Sequence, residues 1–173
     1  AFEEGPDMVA AERFALLDES TTYLQDAASS DVGLARKYRG VTFGAYLDDA
    51  EEINFTYAGV AGLPFAPVLL GGGRDSTGNI TINWVRRGRI GSEWVDAIDV
   101  PVGESAESYE VEIWDGSGYA TLKRTISGLS AQTTSYSSAN QVTDFGGNQS
   151  TIYVRVYQLS ATFGRGYKLE GTV

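Results

Sequence analysis

The 173-residue sequence contains no histidine and no cysteine. Without histidine it lacks the commonest general base and the commonest transition-metal ligand. Ser-His-Asp, Cys-His and H-E-x-x-H chemistry are therefore excluded. Without cysteine there is no disulfide, no thiolate nucleophile and no Cys-based zinc site. Catalysis is left with paired carboxylates, a Ser-Lys dyad or a cofactor held without histidine. Long apolar runs are missing too: a membrane helix needs roughly 20 residues, and the longest candidate, residues 63–70, contains two prolines. No basic stretch followed by an apolar one marks a signal peptide. A chain that starts at Ala1 rather than Met reads as a piece of something longer. Basic charge is scarce, with 13 Lys/Arg against 23 Asp/Glu and a net charge of −10. That balance argues against sequence-independent binding to nucleic acid, which is itself densely negative.

What is present suffices for a packed core. Hydrophobic residues make up 42% of the chain and charged residues 21%, a composition unlike that of disordered chains, and the length suits one or two domains. The charge is uneven. Residues 1–62 hold 4 Lys/Arg and 12 Asp/Glu, whereas residues 63–173 hold 9 and 11. Residues 58–67 carry two glycines and two prolines and read as a linker, since proline cannot donate to a sheet ladder. This predicts a β-rich segment over 1–62 and a separate β-sandwich over 63–173.

Strand signals dominate the second part. Residues 79–85 alternate strictly, with Ile80, Ile82 and Trp84 on one face. Residues 109–114 do the same with Tyr109, Val111 and Ile113, and Asp115-Gly-Ser-Gly118 then reads as a turn. Residues 120–126 and 133–137 are candidate partners. Residues 152–157 place Ile152, Val154 and Val156 inward and Tyr153, Arg155 and Tyr157 outward. Phe163-Gly-Arg-Gly166 reads as a Gly-rich turn, and alternation returns over 167–173. Six or seven short strands with almost no helical period predict an all-β antiparallel sandwich. In the first part, residues 8–17 fit a helix by composition, and 13–17 fit a strand equally. Residues 36–46 and 53–57 read as strands. With so few core residues, this piece reads as the end of a larger domain or as one needing a partner.

Several residue groups are candidates for chemistry or contact. Asp48, Asp49, Glu51 and Glu52 lack EF-hand spacing and read as a solvated turn, so no metal site is predicted. Glu110 and Glu112 share one strand face, which reads as a polar face rather than a glycosidase pair. The glycine runs at 71–73 and 163–166 match no phosphate-binding pattern and read as turns, and no cofactor is predicted. The sequons at Asn54, Asn79 and Asn148 are too short to be specific. Arg86, Arg87 and Arg89, flanked by Trp84 and Trp94, form a basic aromatic stretch suited to docking an acidic partner surface. The alternative is a strand end whose arginine stems cover apolar surface. Trp84 itself sits on the apolar face of its strand and reads as core. Arg155 and Tyr157 on an outward face, and Phe163, Arg165 and Tyr167 at the turn, complete the candidate interface.

The order Pro67, Trp84, Tyr109-x-Val-x-Ile113, Tyr136 and Ile152-x-Val-x-Val156 resembles a fibronectin type III-like sandwich. Ile152 stands where that family usually has the tyrosine of its corner. A further resemblance covers about residues 60–173. It rests on Leu63-Pro-Phe-Ala-Pro-Val68, Trp84-Val-Arg-Arg-Gly-Arg89, Val100-Pro-Val-Gly-Glu104, Tyr109-Glu-Val-Glu-Ile113, Asp144-Phe-Gly146, Val154-Arg-Val-Tyr-Gln-Leu-Ser160 and Gly164-Arg-Gly166. In this order the segments resemble the C-terminal end of the large tail-tip (baseplate hub, host-specificity) protein of alphaproteobacterial siphophages and gene transfer agents. The resemblance implies a non-catalytic virion protein at the distal tail, trimeric within a hub, meeting tail-fibre or baseplate proteins or the host surface. The other reading is a carbohydrate-binding accessory module with Trp94, Trp114, Tyr153 and Tyr157 stacking on sugars. An enzyme using carboxylates is the remaining class.

Overall fold

A computed structural model describes residues 28–41, 43–91 and 99–173. The reading of residues 8–17, and the place of Trp94, lie outside these. In the first part, strand β1 (Ala35–Arg39) pairs antiparallel with β2 (Glu52–Thr56) as a separate two-stranded sheet. The strand expected over 36–46 is thus shorter. Gly40 and Gly44 lie beyond its end, and the acidic run forms a short 3-10 turn, Leu47–Asp49, before β2.

The second part is built from β3 (Val68–Arg74), β4 (Ile80–Val85), β5 (Tyr109–Trp114), β6 (Leu122–Leu129), β7 (Thr133–Tyr136), the helix α1 (Ser138–Phe145), β8 (Tyr153–Ser160) and β9 (Gly164–Thr172). One sheet has the order β3-β4-β7 and the other β6-β5-β8-β9. Every pairing is antiparallel. The result is an all-β, fibronectin type III-like sandwich, with three strands facing four.

The period-2 pattern explains the core. Ile80, Ile82 and Trp84 from one sheet meet Tyr109, Val111, Ile113, Val154 and Val156 from the other, all at 2% exposure or less. Each such side chain contributes about 1.5–3 kcal/mol on burial. The rings of Trp84 and Tyr109 meet edge-on, 5.2 Å apart, the geometry that aromatic quadrupoles favour. Ile152, just before β8, is buried as well, an aliphatic core residue.

Two elements depart from the sequence expectation. The glycine run 71–73, read as a turn, lies inside β3. A Cβ on Gly72 would sit 2.1 Å from the Thr81 carbonyl oxygen and 2.5 Å from Val173, so glycine allows the close approach of β3 to its neighbours. Residues 138–145, read without helical period, form α1. Its start is capped by the Ser137 hydroxyl, which accepts from the Asn140 N–H at 3.1 Å, and Gly146 ends it in the left-handed region. The helix is pinned by the fully buried Gln141, whose amide donates to the carbonyls of Gly78 and Tyr136 and accepts from the Gln149 N–H.

Between β7 and β8, the Tyr136 hydroxyl donates to Asp144 at 2.7 Å, and Arg124 of β6 clasps the same carboxylate through two nitrogens, at 2.7 and 2.9 Å. Burial raises the affinity of Asp144 for a proton, but the bonds from Arg124 and Tyr136 outweigh it and hold its pKa below the ordinary aspartate value of 3.8. A carboxyl more acidic when folded adds stability above its unfolded pKa and loses it as pH falls through the folded one. Asp144→Asn is therefore expected to destabilise the chain at pH 7. The deficit relative to the parent should shrink steadily below about pH 4, as urea unfolding at pH 7 and pH 3 would show.

β3 also holds a backbone constraint. The β3–β4 register slips between Val68 and Gly71, and within that bulge Leu69 adopts φ 53° while 74% exposed. A bulky side chain in the left-handed region costs about 1–2 kcal/mol. Leu69→Asn keeps the bulge with a residue that tolerates this conformation. It should raise stability by about 0.5–1 kcal/mol, measured by chemical unfolding; a loss would show that the Leu69 side chain supports the fold.

Candidate functional site

The three arginines that follow β4 are placed by its end, and two of them turn inward on the molecule. Arg86 donates to Asp99 at 2.6 Å, with Glu107 at 4.0 Å, and its side chain is 12% exposed. Its backbone N–H donates to the Gln132 side chain at 2.9 Å. Arg89 donates to Glu104 at 2.7 Å with both side chains largely buried. The other Glu104 oxygen accepts from the Ser160 hydroxyl at 2.6 Å. Only Arg87 is exposed, its guanidinium 5.0 Å from the Phe65 ring centre. The expectation that Arg86 and Arg89 present a docking surface is corrected: their charge is neutralised by the chain's own carboxylates. Trp84, which flanks that stretch among the interface candidates, is core at 2% exposure, as its place on the apolar strand face predicts, and offers no contact surface.

The turn between β8 and β9 closes on the segment that precedes the sandwich. Ser160 accepts from the N–H groups of Thr162 and Phe163, which fixes the turn. The Phe163 ring then lies on Gly59 and Gly62. A Cβ on Gly62 would fall 2.3–2.5 Å from three atoms of that ring, so a side chain there cannot be accommodated without displacement. Arg89 caps the same ring at 5.1 Å. Gly62, Pro64 and Pro67 are buried, and the Tyr167 N–H donates to the Pro64 carbonyl at 3.0 Å. Residues 58–67, read as a linker, are thus a packed connection held by β9 rather than a free tether. Phe163 is a packing residue, and Tyr167 is half exposed beside it.

The outer face of the four-stranded sheet carries the remaining candidates. On β5 the outward set is Glu110, Glu112 and Trp114; on β8 it is Tyr153, Arg155 and Tyr157; on β9 it includes Arg165, Lys168 and Glu170, as the cross-strand register requires. Arg165 bonds to Glu110, and to Glu112 at 2.6 Å, while its guanidinium lies 3.9 Å from the Tyr157 ring centre. The Tyr157 hydroxyl donates to Glu112 at 3.2 Å and the Trp114 indole N–H does so at 3.1 Å. Arg155 lies 4.4 Å from the Trp114 ring centre and 4.5 Å from that of Tyr119, and donates to Glu170 at 2.7 Å.

This network changes the meaning of an outward position. Tyr157 points away from the core as the alternation requires, yet it is only 8% exposed because Arg165 covers it. It is neither an open contact residue nor a stacking platform for a sugar. Burial, and then the Glu112 carboxylate, push its hydroxyl pKa up, so it stays protonated and keeps donating. Glu112 is also buried, at 5% exposure, on a face that the sequence suggested was merely polar. The two carboxylates share one arginine rather than flanking a cleft. Among the described residues no group of three or more acidic side chains is arranged to hold a metal ion. Glu52, from the acidic run, pairs instead with Lys37 and Arg39. The signal that sequence reasoning lacked is the long-range reach of Arg165 across two strands.

The strand order, the core and this outer ladder define the class: a fibronectin type III-like β-sandwich joined tightly to a preceding β-hairpin segment. No family model matches the chain, and no curated protein matches it. Among solved structures it is similar to the rat CD45 extracellular region, domains d3-d4, at TM-score 0.45 and 14% identity, over 100% of this chain and 80% of that one. It is also similar to the FN5 domain of Drosophila Lar, at TM-score 0.38 and 13% identity, over 64% of this chain and 95% of that one.

Removing the arginine that covers Glu112 should cost more than removing an exposed one. Arg165→Ala strips a charged hydrogen bond from a buried carboxylate, for a loss of about 1.5–3 kcal/mol. Arg87→Ala should stay within about 0.5 kcal/mol of the parent. Thermal and urea unfolding of both variants would check this; equal effects would mean that the outer ladder does not contribute to stability.

Proposed function

We propose that this chain is a non-catalytic structural module at the distal end of a phage-like tail, in a phage or gene transfer agent particle. In this reading it serves as the C-terminal part of a trimeric tail-tip hub. It attaches tail-fibre or baseplate proteins, or contacts a host surface receptor or glycan. The tail-tip identity is suggested by the ordered motifs between Leu63 and Gly166. The structural observation that supports an architectural role is the junction, where the Phe163 ring is packed on Gly59 and Gly62 and capped by Arg89. Such a joint transmits orientation from one module to the next, which an assembled tail requires and a tethered binding domain does not.

The absence of catalysis in this reading follows from the chemistry available. The chain has no His or Cys. The carboxylates best placed to act in pairs, Glu110 and Glu112, are held by Arg165. Contact then falls to exposed groups such as Arg87 and Tyr167, since arginine and tyrosine bury large area on docking.

The reading predicts that purified particles contain this sequence within a polypeptide much larger than 18.6 kDa, in threefold copies at the tail tip. Intact mass measurement with quantitative peptide counting would test it. Its absence from particles would overturn the proposal.

A further inference from the structure

The loop between β5 and β6 holds a tyrosine in a backbone conformation that suits glycine. Among the described residues, two that are not glycine have a left-handed backbone: Leu69, and Tyr119 at φ 47°. Such outliers persist only where the surroundings over-determine them, and they gather at ligand clamps and switches. Leu69 leaves its side chain in solvent, whereas the Tyr119 ring is engaged on several sides. Its hydroxyl donates to the Gly171 carbonyl of β9 at 3.1 Å. It meets the Trp114 ring of β5 at 6.2 Å and the Tyr153 ring of β8 at 6.1 Å, both edge-on. The Arg155 guanidinium lies 4.5 Å from its centre. Edge-on pairs and cation–π contacts are attractive, and here the ring and hydroxyl alone make them.

The groups that receive the ring form a socket built on β5, β8 and β9, without the loop. Arg155 is fixed in it by Glu170 at 2.7 Å, and Gly171 by its pairing with Val154. The loop reaches this socket from a tied base. The Asp115 N–H donates to the Thr121 carbonyl at 3.0 Å, and the Asp115 carboxylate accepts from Thr121 and Ala120. The tip has room around it: a Cβ on Gly116 or Gly118 would meet nothing within 4 Å.

We propose that this socket is a binding site for a tyrosine side chain, which Tyr119 fills from within and which an exposed tyrosine of a partner protein enters in its place. The left-handed backbone burdens only the internal occupant, by roughly tenfold in population. A tyrosine arriving from a partner makes the same contacts without that strain. The tether favours Tyr119 until a partner is held close by contacts elsewhere, so the loop acts as a displaceable plug. The chemistry selects the ligand: Trp114, Tyr153 and Arg155 accept an aromatic ring, and the Gly171 carbonyl requires a donor at the far end of it.

Tyr119→Gly empties the socket with a residue at ease in this backbone conformation. p-Cresol, the tyrosine side chain as a free molecule, should shift the Trp114 indole and Arg155 Nε–H signals of the isotope-labelled full-length variant saturably, with the Trp84 indole unmoved. The parent should bind p-cresol at least tenfold more weakly, and there binding should move the amides of residues 116–119 while that of Thr121 stays in place. Toluene, which has no hydroxyl for the Gly171 carbonyl, should bind the variant at least threefold more weakly than p-cresol. No saturable shift in the variant, equal affinity in the parent, equal affinity for toluene, or binding to the parent without movement of the tip would each overturn the proposal. Tyr119→Phe keeps the plug but loses its bond to Gly171, so it should bind p-cresol more tightly than the parent does. An affinity no higher than the parent's would overturn the proposal even if Tyr119→Gly failed to fold.

Discussion

The alternation of β4, β5 and β8 is the constraint on which the rest of this structure depends. It presses Ile80, Ile82 and Trp84 against Tyr109, Val111, Ile113, Val154 and Val156, and in doing so fixes what the same strands carry on their other sides. Period 2 leaves no freedom here: a slip of one residue would exchange the core with the outer ladder. Glu110 and Glu112 face Arg155, Tyr157 and Arg165 because Val111 and Val156 face inward. The outer network is thus a consequence of core registration, and the core is in turn shielded by that network, which closes over one face of β5 and β8.

Where local pattern and burial coincide, the fold was legible. Residues 80–85, 109–114 and 153–157 alternate cleanly and form β4, β5 and the first part of β8. Legibility failed where a residue's role is set by a partner far along the chain. Gly71, Gly72 and Gly73 carry the composition of a turn, but Gly72 is required by the proximity of Thr81 and Val173. The helix α1 has only Ala139 and Gln141 as strong helix formers among its eight residues, and its stability derives from the Ser137 cap and from Gln141 bonding to Gly78 and Tyr136. Neither partner is visible in a local window.

The candidate site shows the same division. Alternation correctly separates Tyr157 from the core, but outward orientation does not imply solvent exposure once Arg165 and Glu112 close over the ring. The basic stretch after β4 was conspicuous as composition, yet its meaning depends on Asp99, Glu104 and Glu107, acids 13 to 21 residues downstream. Phe163 stood out as part of a glycine-rich turn; that it rests on Gly59 and Gly62 could not be inferred without the fold.

The internal use of arginine also decides what the surface offers. In the sandwich, Arg86, Arg89, Arg124, Arg155 and Arg165 are each paired with the chain's own carboxylates, and Arg74 is bonded to the Gly78 and Gln149 carbonyls and to Gln141. In a chain of net charge −10, pairing the few cations inward leaves an outer field that is negative overall. Long-range attraction then favours neutral or basic surfaces and opposes acidic ones. The arginine-rich end of β4, which composition alone suggested as a dock for an acidic partner, serves instead to tie Asp99, Glu104 and the Phe163 junction to the sandwich. In the role proposed above, contact rests on shape and on exposed groups such as Tyr167, with charge limiting the choice of partner rather than supplying the attraction.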